Sequence, residues 1–447
     1  MKPTITPLEI GLPPFDLYSR LRRAHETSFL LESASGPEKV VAYSFLGAGP
    51  RAVVTGHGGK VSGIEGLAHL ESSPLKYLEA ALAPYCTEDR TFPLMGGLVG
   101  YLSYASVNAM EGGVHVHSHP DFPDLEMGLY DEVIVYDHGR FQAYHVSTGG
   151  FSLLETVKDL PQGTSPPLRL GALESDTTPE KFQENVVKAK EAIFAGDAFQ
   201  LVVSRELSAP IRGDALHLYA ALRRLNPSPY MFFLDFGGRQ VLGSSPETLV
   251  SVRGGMATTF PIAGTRPMGR DKAETRTLRQ EMLGDAKERA EHCMLVDLSR
   301  NDLGRVCIPG SVQVEQFMQV EEFSHVQHLV SKVGGRLATG KTALDALAAT
   351  FPAGTVSGAP KVRAMNIIDS LEASPRGVYA GAVGYISGNG DLDTAIAIRS
   401  AFVADGIIRF RAGAGIVADS DPEREYLETE AKLGALLAAA RAAGAVA

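Results

Sequence analysis

The feature that most narrows the fold is a recurring order in which one helical stretch is followed by two or more strand-like runs. DALHLYAALRRLN precedes MFFLDF and QVLGSSPETLVSVR, and LDALAATF is followed later by VYAGAVGYISG and TAIAIRSAFV. A parallel doubly wound sheet would need a helix between each successive pair of strands. The order therefore predicts an α+β fold of repeated α-plus-antiparallel-β units, with large antiparallel sheets packed in a sandwich and helices on the outside. A chain of 447 residues exceeds what one small core serves, so two lobes or one large layered domain is expected.

From Pro7 to about Arg140 short β-like runs alternate with Gly-rich turns, as in VVAYSFLG, RAVVTGHGGKVSG, GGLVGYLSYA and DEVIVYDHGRFQAYHV. Residues 1–150 thus read as a β-rich lobe. Turn formers concentrate between Ser147 and Asp176, which makes residues 151–177 the candidate linker and 178–447 the second region. That region opens with Thr178 as a helix cap and Pro179 in the first turn, followed by Phe182, Val186, Ala189 and Ile193 at helical spacing. Gly196 and Asp197 end this helix. A last helix opens at Asp421-Pro422, with Leu427, Ala431 and Ala435 expected on one face.

A net charge of -10 without clustered Lys and Arg excludes unspecific nucleic-acid binding. Any anionic ligand must be held by a local site. Neither a secretory signal nor a membrane-spanning run is expected, since MKPTITPLEIGLPPFDLYSR carries Pro and acidic residues and LGALLAAARAAGAVA is broken by Arg441. Cys86, Cys293 and Cys307 are odd in number and widely spaced, which fits a reducing cytoplasm and buried apolar roles.

Two glutamate pairs carry the first chemical signal. Glu288 and Glu291 in KERAEHCMLVDL, and Glu425 and Glu428 in EREYLETEAKL, each project two carboxylates from one helix face. Two such faces meeting across a cleft would form the oxygen-only nest that Mg2+ prefers. Each pair has a plainer reading as well: Glu288 follows Asp285 at capping-box spacing, and Glu428 precedes Lys432 at ion-pair spacing. His115, His117 and His119 would share one side of a strand, but with no Cys nearby and Pro120 following, a polar edge or loop is the expectation. The GAG of RAGAGIVADSD lacks the third Gly of a dinucleotide loop and reads as a Gly-rich turn with accessible N–H groups.

Several long motifs in one order, AEHCMLVDLSRNDLGRV, FPAGTVSGAPKVRAMNIID, DLDTAIAIRSAF and AGAGIVADSDPEREYLETEAKLGAL, resemble the chorismate-using enzymes across residues 178–440. These include anthranilate, aminodeoxychorismate, isochorismate and salicylate synthases. The water-using members carry a Lys in the strand after the first helix, where this chain has Gln200, as ammonia-using members do. Aminodeoxychorismate synthases use a Lys nucleophile in PIKGT, and PIAGT places Ala263 there. The resemblance then implies anthranilate synthase chemistry, with aminodeoxychorismate synthesis or a non-catalytic tryptophan-sensing subunit as alternatives.

That chemistry needs ammonia to add at C2 of chorismate as the C4 hydroxyl leaves, after which pyruvate is lost. The resemblance implies Glu247 in SSPETLV as the general acid and His328 as the residue assisting hydroxyl departure or elimination, with His325 the weaker candidate. It implies Glu291 and Glu428 as direct Mg2+ ligands, and Glu288 and Glu425 as outer ones reaching the ion through water. Arg399 and Tyr379 would hold the enolpyruvyl carboxylate with backbone N–H groups of Gly413 and Gly415. Lys432 would add charge, and Gly264, Thr265 and Thr355 would be further contacts.

FLLESAS, YSFLG and NPSPYMFF are similar to the tryptophan feedback segments of anthranilate synthase large subunits, implying Glu32, Ser33, Ser44, Pro229, Tyr230 and Met231 as contacts. The first region would then be a regulatory lobe to which NPSPY also contributes. The total absence of Trp suits an enzyme made when tryptophan is scarce. Departures from the family pattern at Ala42 and Met268 bear on local loop contacts and inhibitor affinity and leave the catalytic set untouched. Cys86 has no glutaminase setting, so free ammonia is the expected nitrogen source of this chain alone, and a separate glutamine amidotransferase subunit the expected partner.

Overall fold

The structure is a computed structural model describing residues 2–33, 42–149, 153–158, 160, 163–322 and 326–444. His325, the end of FLLESAS and parts of the candidate linker lie outside the described residues, as does the side chain of Thr265.

The strands form one sheet of thirteen and one of eleven, and every described pairing is antiparallel. Neither sheet belongs to one half of the chain. In the larger, Thr27–Glu32 pairs with Tyr230–Phe236, and in the smaller, Gly97–Leu102 pairs with Ala382–Ser387. The shift in composition around residues 151–177 is therefore not a boundary between sheets.

Alternation along the strands builds the layers. Phe29, Phe45, Phe232, Val241 and Phe402 of the larger sheet enter a core shared with Val99, Tyr101, Val250, Val252 and Tyr385 of the smaller. Their immediate neighbours Leu30, Leu46, Phe233, Leu242 and Ala401 face the other way, into a core with the helices Pro14–Leu21, Leu216–Leu225 and Pro422–Ala442. A side-chain period of two thus makes each strand serve both the sandwich and the helix layer. A third cluster seats the helices Pro179–Phe194 and Lys361–Leu371 on Gln200–Arg212 and Ile407–Ile416.

Helix starts follow the sequence closely. Thr178 accepts from Lys181 N at 3.2 Å, Asp421 from Arg424 N at 3.0 Å, and Asp285 from the N–H groups of Lys287 and Glu288. The expected face of the last helix is wrong: Leu427 is 55 % exposed, and the buried stripe runs through Leu433, Leu436 and Ala439. In so Ala-rich a helix several stripes are equally apolar, and packing against the sheet selects one. Of the cysteines only Cys307 is buried; Cys86 and Cys293 are exposed, and none of the three forms a disulfide. His115, His117 and His119 lie in a loop, where the His117 ring is 2.7 Å from Asp369 and His119 packs on Phe122.

Candidate active site

Two places where the chain passes from one sheet to the other set up the site. Between Arg239–Ser245 of the larger sheet and Thr248–Arg253 of the smaller stand Pro246 and Glu247. Between Leu392–Ile396 of the smaller and Ser400–Ala404 of the larger stand residues 397–399. At such crossings the pleat is broken and side chains leave the sheet faces. Glu247 and Arg399 consequently open onto one cavity of about 280 Å3, and Arg399 is held there in a left-handed backbone conformation, φ 50°.

Burial pushes the Glu247 carboxyl up to about 7, against the opposing effects of a hydrogen bond from Thr355 and the charges of Arg399 and Lys432. Thr355 Oγ1 donates to Glu247 Oε1 at 2.8 Å. The Arg399 guanidinium faces the cavity without a hydrogen bond or ion pair from any described residue, and enclosure by protein lowers its pKa. A cation left unpaired beside a protonatable acid suits an anionic ligand.

His328 comes from the strand Val326–Arg336 and lies 3.0 Å, through Nδ1, from the Gly264 carbonyl oxygen. A carbonyl can only accept, so Nδ1 carries the proton and the lone pair is on Nε2. Burial, aided by the Arg399 charge, lowers the His328 pKa and favours this neutral form. The carbonyl is aimed by a bulge at Gly264, whose φ of 63° a side chain would resist. Ala263 beside it lines the cavity with a methyl group.

Gln200 opens the strand Gln200–Arg212; its Nε2 reaches Glu291 Oε1 at 3.5 Å, and its Oε1 is buried with no hydrogen-bond partner among the described residues. A Cβ at residue 415 would stand 2.9 Å from that Nε2, so only glycine leaves the amide its place. Gly413 and Gly415 lie in the strand Ile407–Ile416 and not in the turn that the sequence suggested. The neighbour Ser400–Ala404 pairs only as far as Phe410, which leaves this half of the strand open on one side. Tyr379 rises from the loop after the helix Lys361–Leu371 with its hydroxyl against Gly413.

The glutamates come from the two helices that sequence reading named. Glu291 on Ala286–Gly304 and Glu428 on Pro422–Ala442 line the same cavity. Burial raises the Glu291 carboxyl, and the negative charges of Glu288 and Glu428 raise it further; burial likewise raises Glu425, with Glu428 adding to it. The two plainer readings are also partly realised. Glu428 pairs with Lys432 at 2.8 Å, and Lys432 also donates to the Gly413 carbonyl at 2.7 Å. Asp285 does cap its helix, but the Glu288 side chain goes to Arg266 at 3.0 Å and does not close a capping box.

Arg411 and Val202, which sequence reading passed over, line the cavity too. The one available signal was an Arg spaced two residues from Arg409 in an otherwise apolar strand, IIRFRAGAGI. It marks a face of that strand that has to solvate charge.

A second cavity, about 520 Å3, lies between the sheets and is lined by Ser33, Pro229 and Tyr230 with Arg253, Tyr385 and Asp393. Glu32 and Met231 line it as well, although Glu32 directs its carboxylate to Tyr219 and Arg223, and Met231 belongs to the helix-side core. Ser44 is not in its wall: the strand alternation sends Tyr43 and Phe45 there and turns Ser44 towards His138, 2.8 Å away. Ser33 Oγ is buried without a hydrogen-bond partner among the described residues, and Tyr385 lies against Arg253, whose guanidinium is 5.6 Å from its ring centre.

Paired antiparallel sheets with an acid and an arginine at their crossings, faced by carboxylates from two helices, fit an enzyme of the chorismate-binding class. Residues 26–438 match the chorismate binding enzyme family, and the chain belongs to it. Within that family it is similar to anthranilate synthase component 1 of Methanothermobacter thermautotrophicus, 44 % identical over 96 % of this chain and 93 % of the relative. Component 1 of Saccharolobus solfataricus is 41 % identical over 97 % and 98 %. The crystal structure of anthranilate synthase component I from Streptococcus pneumoniae superposes with a TM-score of 0.80 at 37 % identity, covering 90 % of this chain and 93 % of that one.

Proposed function

We propose that this chain is an anthranilate synthase component 1 that converts chorismate and ammonia to anthranilate, pyruvate and water. The observation carrying this reading is Glu247, a carboxyl pushed up to about 7 beside the unpaired Arg399. A protonated Glu247 can give its proton to the departing C4 hydroxyl, which leaves as water. Arg399 and the Tyr379 hydroxyl are suited to the enolpyruvyl carboxylate, with Gly413, Gly415, Gly264 and Thr265 as close contacts. The orphaned Gln200 Oε1 can accept a hydrogen bond from ammonia. Neutral His328 can take a proton in the elimination that releases pyruvate.

Among the described residues no three carboxylates, histidines or cysteines converge into a complete metal cage. Mg2+ does not require one, since it keeps several waters and takes one or two carboxylates along with oxygens of its substrate. Glu291, whose pKa is raised by burial and further by the charges of Glu288 and of Glu428 across the cleft, belongs to a donor set that a divalent cation would relieve. Glu291 and Glu428 are assigned as direct ligands, with Glu288 and Glu425 acting through water. When bound, the ion would neutralise and grip the ring carboxylate.

The cavity between the sheets is assigned to tryptophan as feedback inhibitor, supported by its apolar wall residues and by the Ser33 hydroxyl, which has no hydrogen-bond partner among the described residues. A glutamine amidotransferase subunit is the assigned ammonia source, and the cytoplasm, with its reduced cysteines, the assigned compartment. Among the described residues no helix is long and apolar enough to cross a membrane. Incubation with chorismate, Mg2+ and ammonium should yield fluorescent anthranilate and equimolar pyruvate, suppressed by tryptophan. Aminodeoxychorismate without pyruvate would overturn the assignment.

A further inference from the structure

Residues 372–381 carry a buried ion cluster that no step above uses. Arg376 is 5 % exposed. Its Nη1 donates to the Val356 carbonyl at 2.6 Å and its Nη2 to the Val202 carbonyl at 2.6 Å, while Nε and Nη2 hold Glu372 at 2.9 and 2.7 Å. The guanidinium lies over the Tyr104 ring at 4.5 Å, with the Tyr379 ring at 5.7 Å. Glu372 also accepts from Ser204 N and Oγ, each at 2.7 Å, and from Arg411 at 3.1 Å. Burial alone would raise its pKa, but Arg376 and Arg411 outweigh this and hold the carboxyl below its ordinary value.

The anchored groups all belong to walls of the active-site cavity. Val356 follows Thr355, whose hydroxyl rests on Glu247, and Val202 stands opposite Gly415 in register. One planar cation therefore ties together the Thr355 turn, the Gln200 strand and the Tyr379 loop. A lysine could supply the charge but not a rigid fork that spans two carbonyls and a carboxylate. A buried arginine is tolerable because its donors are used in this way.

We propose that Arg376, anchored by Glu372, is a positioning residue that seats Thr355 against Glu247 and Tyr379 against Gly413 without touching substrate. The inference rests on the function proposed above. The groups facing Glu247 are Thr355, the cations Arg399, Lys432 and Arg411, neutral His328, the Tyr379 hydroxyl, the carboxylates Glu291 and Glu428 across the cavity, and Asp302 on its other side. Of these, Thr355 is the one whose backbone neighbour Arg376 holds directly.

The test uses the full chain with chorismate, Mg2+ and a fixed concentration of free ammonia, comparing wild type, Arg376→Lys, Arg376→Gln and Thr355→Ala. For folded Arg376→Lys, kcat should fall about tenfold or more with a smaller change in KM. Its alkaline limb should move to higher pH, because the Thr355 hydrogen bond favours the ionised carboxylate and is weakened. Thr355→Ala should give the same limb shift, and the double variant no further one. Ser204→Ala, which removes one donor from Glu372 and the Oγ that accepts from Arg411 Nε while both arginines stay paired with Glu372, should shift the limb the same way but less, and serves if the Arg376 variants do not fold. A limb and kcat per folded molecule equal to wild type in Arg376→Lys overturn the proposal, as does an unmoved limb in Ser204→Ala. Wild-type protein that turns over no chorismate overturns the functional reading and this inference together.

Discussion

The hydroxyl of Thr355 donates to the carboxylate of Glu247 at 2.8 Å, on a crossing where the chain leaves one sheet for the other. With the Glu247 pKa pushed up to about 7, the acid is protonated below that pH and loses its proton above it. At fixed free ammonia, kcat should therefore decline above about pH 7. Glu247→Gln should lower kcat by about 10^2- to 10^4-fold, the usual share of a general acid. A stopped assay of anthranilate across the pH range checks both.

Arg399 should act through binding. A hydrogen bond to a charged group contributes about 1.5–3 kcal/mol, so Arg399→Gln should raise KM for chorismate by roughly 10- to 100-fold. No described residue loses an ion pair, so the melting temperature should hardly change. Steady-state kinetics beside a thermal melt would separate the two effects, and a large fall in stability would make the residue structural.

Glu428→Gln should abolish Mg2+-dependent turnover and leave tryptophan binding intact. The ion pair it breaks, between side chains 49 % and 48 % exposed, contributes at most about 1 kcal/mol by the usual worth of surface pairs. Activity that survives in Glu428→Gln, or that withstands a chelator in wild type, would return this glutamate to its ion-pair role.

In the cavity between the sheets, Ser33→Ala should weaken tryptophan inhibition about 2- to 10-fold, the worth of one hydrogen bond, with kcat unchanged when tryptophan is absent. Ser44→Ala should leave inhibition as it was, because Ser44 faces His138. Calorimetric titration of both variants with tryptophan distinguishes them.

Where one residue or one local pattern decides, the sequence was legible. Thr178, Asp285 and Asp421 cap helices because a side-chain oxygen beside an unpaired N–H needs no tertiary partner. Glu291 and Glu428 could be found by helical spacing for the same reason. Ser44 misled because a motif marks a strand, whereas one step along it reverses the face. Leu427 misled because an Ala-rich helix has no single apolar stripe. Arg376 left little trace, since its partners Val202 and Val356 contribute only backbone carbonyls, which every residue has.

The sequence by itself determined the α+β class, the helix starts, the family and many of the side chains that line the Glu247 cavity, all of which rest on local patterns or on long motifs. Only the tertiary structure decided that strands from both halves share each sheet, that Glu247 and Arg399 open onto one cavity at the crossings, and that Glu428 and Glu291, from different helices, line that cavity together. Those relations depend on which strands pair and which helix face is buried, and that is settled by burial summed over the whole chain.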